Sequence, residues 1–197
     1  MGVLAAMCAH KFDPNKCGIL DDPSRRERED PDQIWELINK QDPGVVIDLG
    51  AGTGFFSFHF ARKLNAWATI CSFDISLQML KKLMSHKIES LHNVHPVQTG
   101  EEDIPVKNAC ADLFIMSNLH HELDNRDKVL QETYRVLKTA GKVAIWDWKK
   151  QDMDKGPPLD KRISGKVIED ELSKHGFVDV VFHDILPYHN LFTALKK

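Results

Sequence analysis

A chain of 197 residues, 42% hydrophobic and 28% charged, has the length for one well-buried domain and is short for two. Its 26 basic and 29 acidic side chains leave a formal net charge of -3. That balance lacks the clustered basic surface that nucleic acid requires, so Arg25-Arg26 and Lys149-Lys150 are read as solvated surface. No apolar run nears the roughly 20 residues that cross a bilayer.

Residues 1–6 are apolar but lack the charged n-region and long h-region of a signal peptide, and Ala6 stands where a myristoylation site needs Ser or Thr. The four cysteines, Cys8, Cys17, Cys71 and Cys110, show no Cys-x-x-Cys pair, which suits a reducing cytoplasm and no structural metal. Residues 1–30 are irregular and polar, with turn signals at Asp13-Pro14, Cys17-Gly18 and Asp22-Pro23. Residues 31–40 form an amphipathic helix with Asp30 as cap and Pro31 first. After Asp42-Pro43-Gly44, the β-branched run 45–49 reads as a strand buried on both faces. A glycine loop leads into helix 55–64.

Residues 67–73 make a second strand, ending at Asp74; Cys71 within it is a small buried hydrophobe. Ser76 caps a helix to about Ser90, with Leu77, Leu80, Leu83 and Met84 on one face. Strands follow at 94–98 and 111–117, then a helix at 126–137 stopped by Thr139-Ala140-Gly141, and a strand at 142–148. Past the Gly156-Pro157-Pro158 loop, Ser164 caps helix 165–175, which Gly176 closes. Residues 178–182 and 189–195 alternate around Pro187 as a terminal hairpin. Strands alternating with helices predict an α/β, doubly wound, mostly parallel sheet with helices on both faces, whose ligands sit at the strands' carboxyl ends near the topological switch point.

The loop Gly50-Ala51-Gly52-Thr53-Gly54 follows one strand and opens one helix, so a ligand can approach its backbone without a Cβ in the way. A dinucleotide fingerprint needs a third small residue at the position of Phe55, and no Gly-Lys-Ser/Thr follows for a phosphate loop. The loop therefore suits a ligand without a pyrophosphate. Asp74, at the next strand's end and 20 residues beyond Gly54, is placed to accept both ribose hydroxyls.

The run Val46-Ile47-Asp48-Leu49-Gly50-Ala51-Gly52-Thr53-Gly54 is followed by Asp74-Ile75-Ser76 with Met79-Leu80, and by Glu102-Asp103-Ile104-Pro105. Ser117-Asn118-Leu119-His120-His121, Arg135-Val136-Leu137-Lys138 and Gly176-Phe177 come after them. In this order, over roughly residues 40–197, the chain resembles the class I S-adenosylmethionine-dependent methyltransferases, and within them the ubiquinone and menaquinone biosynthesis (methyltransferase type 11) group. The resemblance implies a Rossmann-like seven-stranded sheet with its last strand antiparallel, and S-adenosylmethionine as cofactor, leaving S-adenosylhomocysteine. Gly50, Gly52 and Gly54 would line its methionine and ribose portions, with Ala51 and Thr53 between them. Asp48 would hold the loop and, through water, the ammonium; Ile75 and Met79 would flank the adenine. Ser117, Asn118 and Leu119 would meet the methionyl end. Relatives carry an acid and then a small residue before Glu102, where this chain has Gly100-Glu101. Either Glu101, beside Glu102 and Asp103, takes over the adenine contact, or the backbone alone reads the base.

Methyl transfer from a sulfonium is an in-line displacement, and a base is needed only when the acceptor must lose a proton. The candidates for catalysis are His120 and Asp147, with His121 second, since adjacent histidines on a turn point in different directions. Trp148 is a candidate wall of an acceptor pocket. Residues 1–35 hold too few apolar side chains for a domain. The resemblance implies that they fold over the cofactor as a lid of His10-Lys11-Phe12 and Arg25-Arg26, the alternative being a disordered tail, which Phe12, Ile19, Leu20 and Trp35 oppose by seeking burial. Residues 36–197 form the catalytic domain. The expected function is methylation of a small molecule by a cytoplasmic monomer or homodimer. Two alternatives are a non-catalytic S-adenosylmethionine sensor and a methyltransferase for arsenite or other thiophilic acceptors using Cys8 and Cys17.

Overall fold

The computed structural model describes residues 11–39, 42–86 and 92–197 of the chain. Seven strands make one sheet: β1 (Val45–Leu49), β2 (Thr69–Asp74), β3 (Val94–Gln98), β4 (Ala111–Ser117), β5 (Leu137–Trp148), β6 (Phe177–His183) and β7 (His189–Lys196). Their order is β3-β2-β1-β4-β5-β7-β6. The first five run parallel, and β7 lies antiparallel between β5 and β6. The chain leaves β1 toward β2 and β3, then returns to the other side of β1 for β4. The switch point, where such sheets bind ligands, lies between β1 and β4.

Successive residues of the buried strands feed opposite faces. Val46 and Ile115 pack with α2 (Pro31–Ile38), α3 (Phe55–Ala61) and α4 (Leu77–His86), while Ile47 and Phe114 pack with α5 (Arg126–Val136) and α6 (Gly165–Lys174). This two-sided burial is why the strands read as continuous apolar runs instead of alternating ones. Trp146, Phe60, Phe73 and Phe114 are among the largest fully buried side chains.

The structure redraws several boundaries. β2 begins at Thr69, the partner of Val45, and Trp67 before it is 70% exposed, with its ring over Gly44. Asp30 and Ser76 cap α2 and α4 through their side chains, whereas Ser164 occupies the cap position of α6 without a side-chain hydrogen bond. Lys40 and residues 87–91, the predicted ends of two helices, lie outside the described residues. α5 passes directly into β5 at Leu137, so the predicted stop at Thr139-Ala140-Gly141 is an irregularity inside the strand. The register there jumps from Ala111↔Leu137 to Leu113↔Lys142, with Ala140 at φ 60°.

The N-terminal segment is more ordered than its composition implies. A 3-10 helix spans Pro14–Asp21, capped by Asp13, and the short α1 covers Arg25–Arg28.

Candidate active site

The glycine loop is built from the end of β1. Gly50 and Ala51 donate their N–H groups to the Phe73 carbonyl at 2.8 and 3.0 Å, which ties the loop to β2. Gly50, Gly52 and Gly54 take φ values of 72, 56 and 90°, a region that costs other L-residues steric strain. A Cβ on Gly50 would stand 2.9 Å from Leu119, and one on Gly52 would stand 3.3 Å from Leu20. The loop is thus a floor kept clear between the β4 end and the N-terminal segment.

Asp74 closes one side. Its two carboxylate oxygens accept the N–H groups of Gly52 and Ser76, each at 2.8 Å, and burial raises its pKa against the pull of those two bonds. Each oxygen keeps lone-pair capacity for a further donor. Ile75 beside it is 43% exposed, a large apolar face turned outward, while Met79 is buried under the α4 cap. Asp48 points the other way: its carboxylate accepts the Ser57 hydroxyl at 2.5 Å, and Ser57 reaches Ser72 at 2.7 Å. Burial pushes the Asp48 carboxyl up to about 6, a rise that the Ser57 bond opposes and the Asp74 charge adds to.

Ser117 accepts from Arg25 Nη2 at 3.2 Å, and Asn118, at φ 53°, donates from its side-chain nitrogen to Glu29 at 2.9 Å. Leu119 packs over Gly50. A non-glycine residue in that backbone region costs of order 1–3 kcal/mol and is held by its surroundings, here by Glu29 and by the Asn118 N–H bond to the Trp146 carbonyl. At the β3 end, Gly100 borders open space, Thr99 bonds the Asp103 carbonyl at 2.7 Å, and the Glu102 and Asp103 side chains are exposed. Glu101 is engaged by Lys11.

The N-terminal segment crosses all these strand ends. Lys11 meets Glu101, and the Phe12 N–H meets Glu122 at 2.9 Å. Asp21 accepts from Thr53 at 2.6 Å and pairs with Lys82 at 3.2 Å. Arg25, buried, stacks on Phe55 at 4.5 Å and bonds Glu29 at 3.0 Å. His10 and Cys8 lie outside the described residues; Ile19 is exposed, and Cys17 accepts from Lys82 at 3.3 Å.

The two histidines after β4 part company. His120 is fully buried and turns to α6, where its Nε2 lies 2.7 Å from Glu171, a carboxylate shared with Arg126. It is His121 that meets Asp147: Nδ1 at 2.7 Å and the backbone N–H at 2.8 Å. Burial works against charge on both members, but their mutual attraction prevails, raising the His121 pKa and lowering that of Asp147. Glu29 and His189, which the sequence reading left unmarked, also reach this end of the sheet. Glu29 is buried and accepts from Arg25, Asn118 and Trp146. His189 is set opposite Trp148 by the β5–β7 register.

Comparison with known proteins fits this geometry. The family described as a methyltransferase domain matches residues 46–141. The C-methyltransferase UbiE of ubiquinone/menaquinone biosynthesis in Vibrio campbellii is 32% identical over 120 residues, 59% of this chain and 44% of that protein. Malonyl-[acyl-carrier protein] O-methyltransferase of a Marinomonas species is 36% identical over 114 residues, 58% of this chain and 42% of that protein. The chain thus spans less than half the length of these two relatives. The crystal structure of a SAM-dependent methyltransferase from Aquifex aeolicus superposes with a TM-score of 0.89 at 30% identity, covering 95% of this chain and 100% of that one. With that relative matched end to end and the sheet order and glycine loop in place, the chain belongs to the class I S-adenosylmethionine-dependent methyltransferases.

Proposed function

We propose that this chain binds S-adenosylmethionine over the Gly50–Gly54 loop and methylates a small-molecule acceptor in the cytoplasm, as a monomer or homodimer. The observation that carries the reading is the cradle itself. Three glycines hold backbone where a Cβ would intrude, Asp74 keeps acceptor capacity at the edge, and Ile75 offers an exposed apolar face. The arrangement suits a ligand with an amino-acid end, a ribose and a flat base. In this reading Asp74 accepts the ribose hydroxyls, Ile75 packs on the adenine above Met79, and Gly50, Ala51, Gly52, Thr53 and Gly54 face the ligand. Ser117, Asn118 and Leu119 border the methionyl end, and Asp48 fixes the loop through Ser57. With Glu101 drawn to Lys11 and the side chains of Glu102 and Asp103 exposed, the backbone near Gly100 reads the base. The bound cofactor supplies a methyl group already activated by its sulfonium.

What the chain contributes is position and exclusion of water, on the order of 7–11 kcal/mol when reacting atoms are held at near-attack distance. The N-terminal segment, from Lys11 onward, covers the strand ends through Lys11, Asp21 and Arg25, while Asp147 with His121 orders the acceptor side, and His120 anchors the turn to α6. No helix among the described residues is long and apolar enough to cross a membrane, and Cys17, Cys71 and Cys110 are free thiols, in keeping with the cytoplasm.

Calorimetry with S-adenosylhomocysteine tests the reading. The chain should bind it, and Asp74→Ala should weaken binding by about 1–3 kcal/mol, the scale of a hydrogen bond to a charged group. Equal affinities for the two proteins sink the ribose assignment. Tighter binding of NADH than of S-adenosylhomocysteine sinks the whole reading.

A further inference from the structure

His189 is 0% exposed, and neither of its ring nitrogens has a hydrogen-bond partner among the described residues. The nearest carboxylate oxygen, Oε1 of Glu29, stands 3.8 Å from Nε2, beyond hydrogen-bond reach. The ring lies against Trp148 with centroids 4.3 Å apart. Asn118 bonds the same Glu29 carboxylate through its Nδ2, and its Oδ1 is also buried and unpaired. A neutral imidazole carries one N–H and one bare nitrogen. Around one carboxylate, therefore, two acceptors and one donor stand buried and unmet. Buried polar groups are nearly always satisfied, so such a concentration asks for an absent partner.

The place is informative. Asn118 follows Ser117 at the end of β4, Trp148 ends β5, and His189 begins β7, whose antiparallel course brings its first residue to the carboxyl ends of the parallel strands. Glu29 arrives from the N-terminal segment, directly after α1. The other histidines at this end each hold a carboxylate, His121 through Nδ1 to Asp147 and His120 through Nε2 to Glu171, although Nδ1 of His120 is also buried without a partner among the described residues.

Resting on the reading above, we infer that the junction of Glu29, Asn118 and His189 is the subsite for the acceptor's hydroxyl group, with His189 as the base that takes its proton. The acceptor O–H donates to the bare nitrogen of His189. As the oxygen forms its bond to the methyl carbon, the carbon–sulfur bond breaks and its electron pair stays on sulfur. The hydroxyl proton passes to His189, whose imidazolium is then stabilised by Glu29, and it leaves to water after the N-terminal segment opens. A second donor on the acceptor, as in a vicinal diol, fills Asn118 Oδ1. The charged groups acting on His189 are Glu29, Arg25 and Arg28 from the N-terminal segment and Asp147 from β5; burial, with Arg25 and Arg28 on its side, outweighs Glu29 and Asp147 and keeps the free imidazole neutral, as a base must be.

Catechol, which brings two adjacent hydroxyls, is the probe. It is added to the full chain loaded with S-adenosylhomocysteine, and the imidazole nitrogens are followed by NMR. Catechol should move the His189 resonances, and His189→Gln should weaken its binding about ten-fold, the loss of one hydrogen bond, while S-adenosylhomocysteine affinity stays unchanged. With S-adenosylmethionine, the turnover of His189→Gln should fall about a hundred-fold at neutral pH, with the catechol KM raised about as much as its binding constant, and recover at high pH where catecholate itself attacks. Should that variant fail to fold, Glu29→Gln serves: catechol still binds, and the apparent pKa of the kcat profile moves, because the imidazolium loses its carboxylate. Unmoved His189 resonances, absent catechol binding, equal catechol affinity and turnover in wild type and His189→Gln, or an unmoved kcat profile in Glu29→Gln overturn the proposal. Failure of the wild type to bind S-adenosylhomocysteine instead sinks the methyltransferase reading, which the catechol titration does not touch.

Discussion

Asp48 sits where β1 gives way to the glycine loop, and its environment sets the sign of a stability effect. Its pKa rises from 3.8 to about 6 on burial, so the folded chain holds this proton more tightly than the unfolded one. Stability from this group is full below about pH 4 and declines as pH climbs through 6. Asp48→Asn keeps an oxygen for Ser57 and removes the buried charge, so it should stabilise the cofactor-free protein by about 3 kcal/mol at pH 8 and by little at pH 4, read in melts of both proteins at the two pH values. A gain that does not depend on pH contradicts this account. The His121–Asp147 pair behaves oppositely. His121 is raised above 6.5 and Asp147 lowered below 3.8, so the pair contributes most between those values. It is lost on the alkaline side as His121 deprotonates and on the acid side as Asp147 gains its proton. His121→Ala leaves a buried carboxylate without its cation, at a cost of about 3–5 kcal/mol. Chemical denaturation should show that cost near pH 5.5 and a much smaller one at pH 9.

At the scale of elements, the glycine loop belongs to β1, to β2 through the Phe73 carbonyl and Asp74, and to the N-terminal 3-10 helix through Leu20. Gly52→Val must strain its backbone at φ 56° and push against Leu20, and it fills the floor that the cofactor would cover. It should abolish S-adenosylhomocysteine binding in calorimetry while leaving the far-ultraviolet circular dichroism of the sheet intact; retained affinity removes the loop from the site. This loop was legible in the sequence because its parts are local: a β-branched run, three glycines at fixed spacing, and a carboxylate at the next strand's end. The same holds for β4 and β7, whose apolar runs are buried, whereas Val97 of β3 and Val178, Val181 and Phe182 of β6 are apolar yet exposed. What was not legible is long-range. The 3-10 helix and α1 are short and polar, without periodicity, and are held by Asp21 to Thr53 and Arg25 to Ser117, partners 32 and 92 residues away. His189 lies in no motif and reaches the strand ends only through pairing with Trp148. The choice between His120 and His121 turned on Glu171, a surface-patterned helix residue whose carboxylate captures one imidazole and leaves the other for Asp147.

Over the whole molecule, one asymmetry governs how a ligand gets in. The sheet is paired strand to strand and covered by helices on both faces, whereas residues 12–29 join no strand and are attached at the carboxyl ends by side-chain bonds and by the packing of Leu20 and Arg25. Segments held this way open at a small fraction of the global unfolding free energy. Anything bound on the glycine loop lies beneath Leu20, Asp21 and Arg25, so release should require this segment to lift, with the Asp21–Thr53 bond as one of its latches. Asp21→Ala removes that bond and the pairing with Lys82, both at a partly exposed site, for about 1 kcal/mol in the closed form. If the segment gates the site, the substitution should speed S-adenosylhomocysteine dissociation in stopped-flow experiments about five-fold. The melting temperature of the cofactor-free protein should barely move, because the sheet does not depend on the latch. Hydrogen exchange should agree, with bound S-adenosylhomocysteine protecting the amides of residues 12–29 in the wild type and less so in the variant. An unchanged dissociation rate with unchanged protection would mean that the ligand leaves by a route the N-terminal segment does not guard.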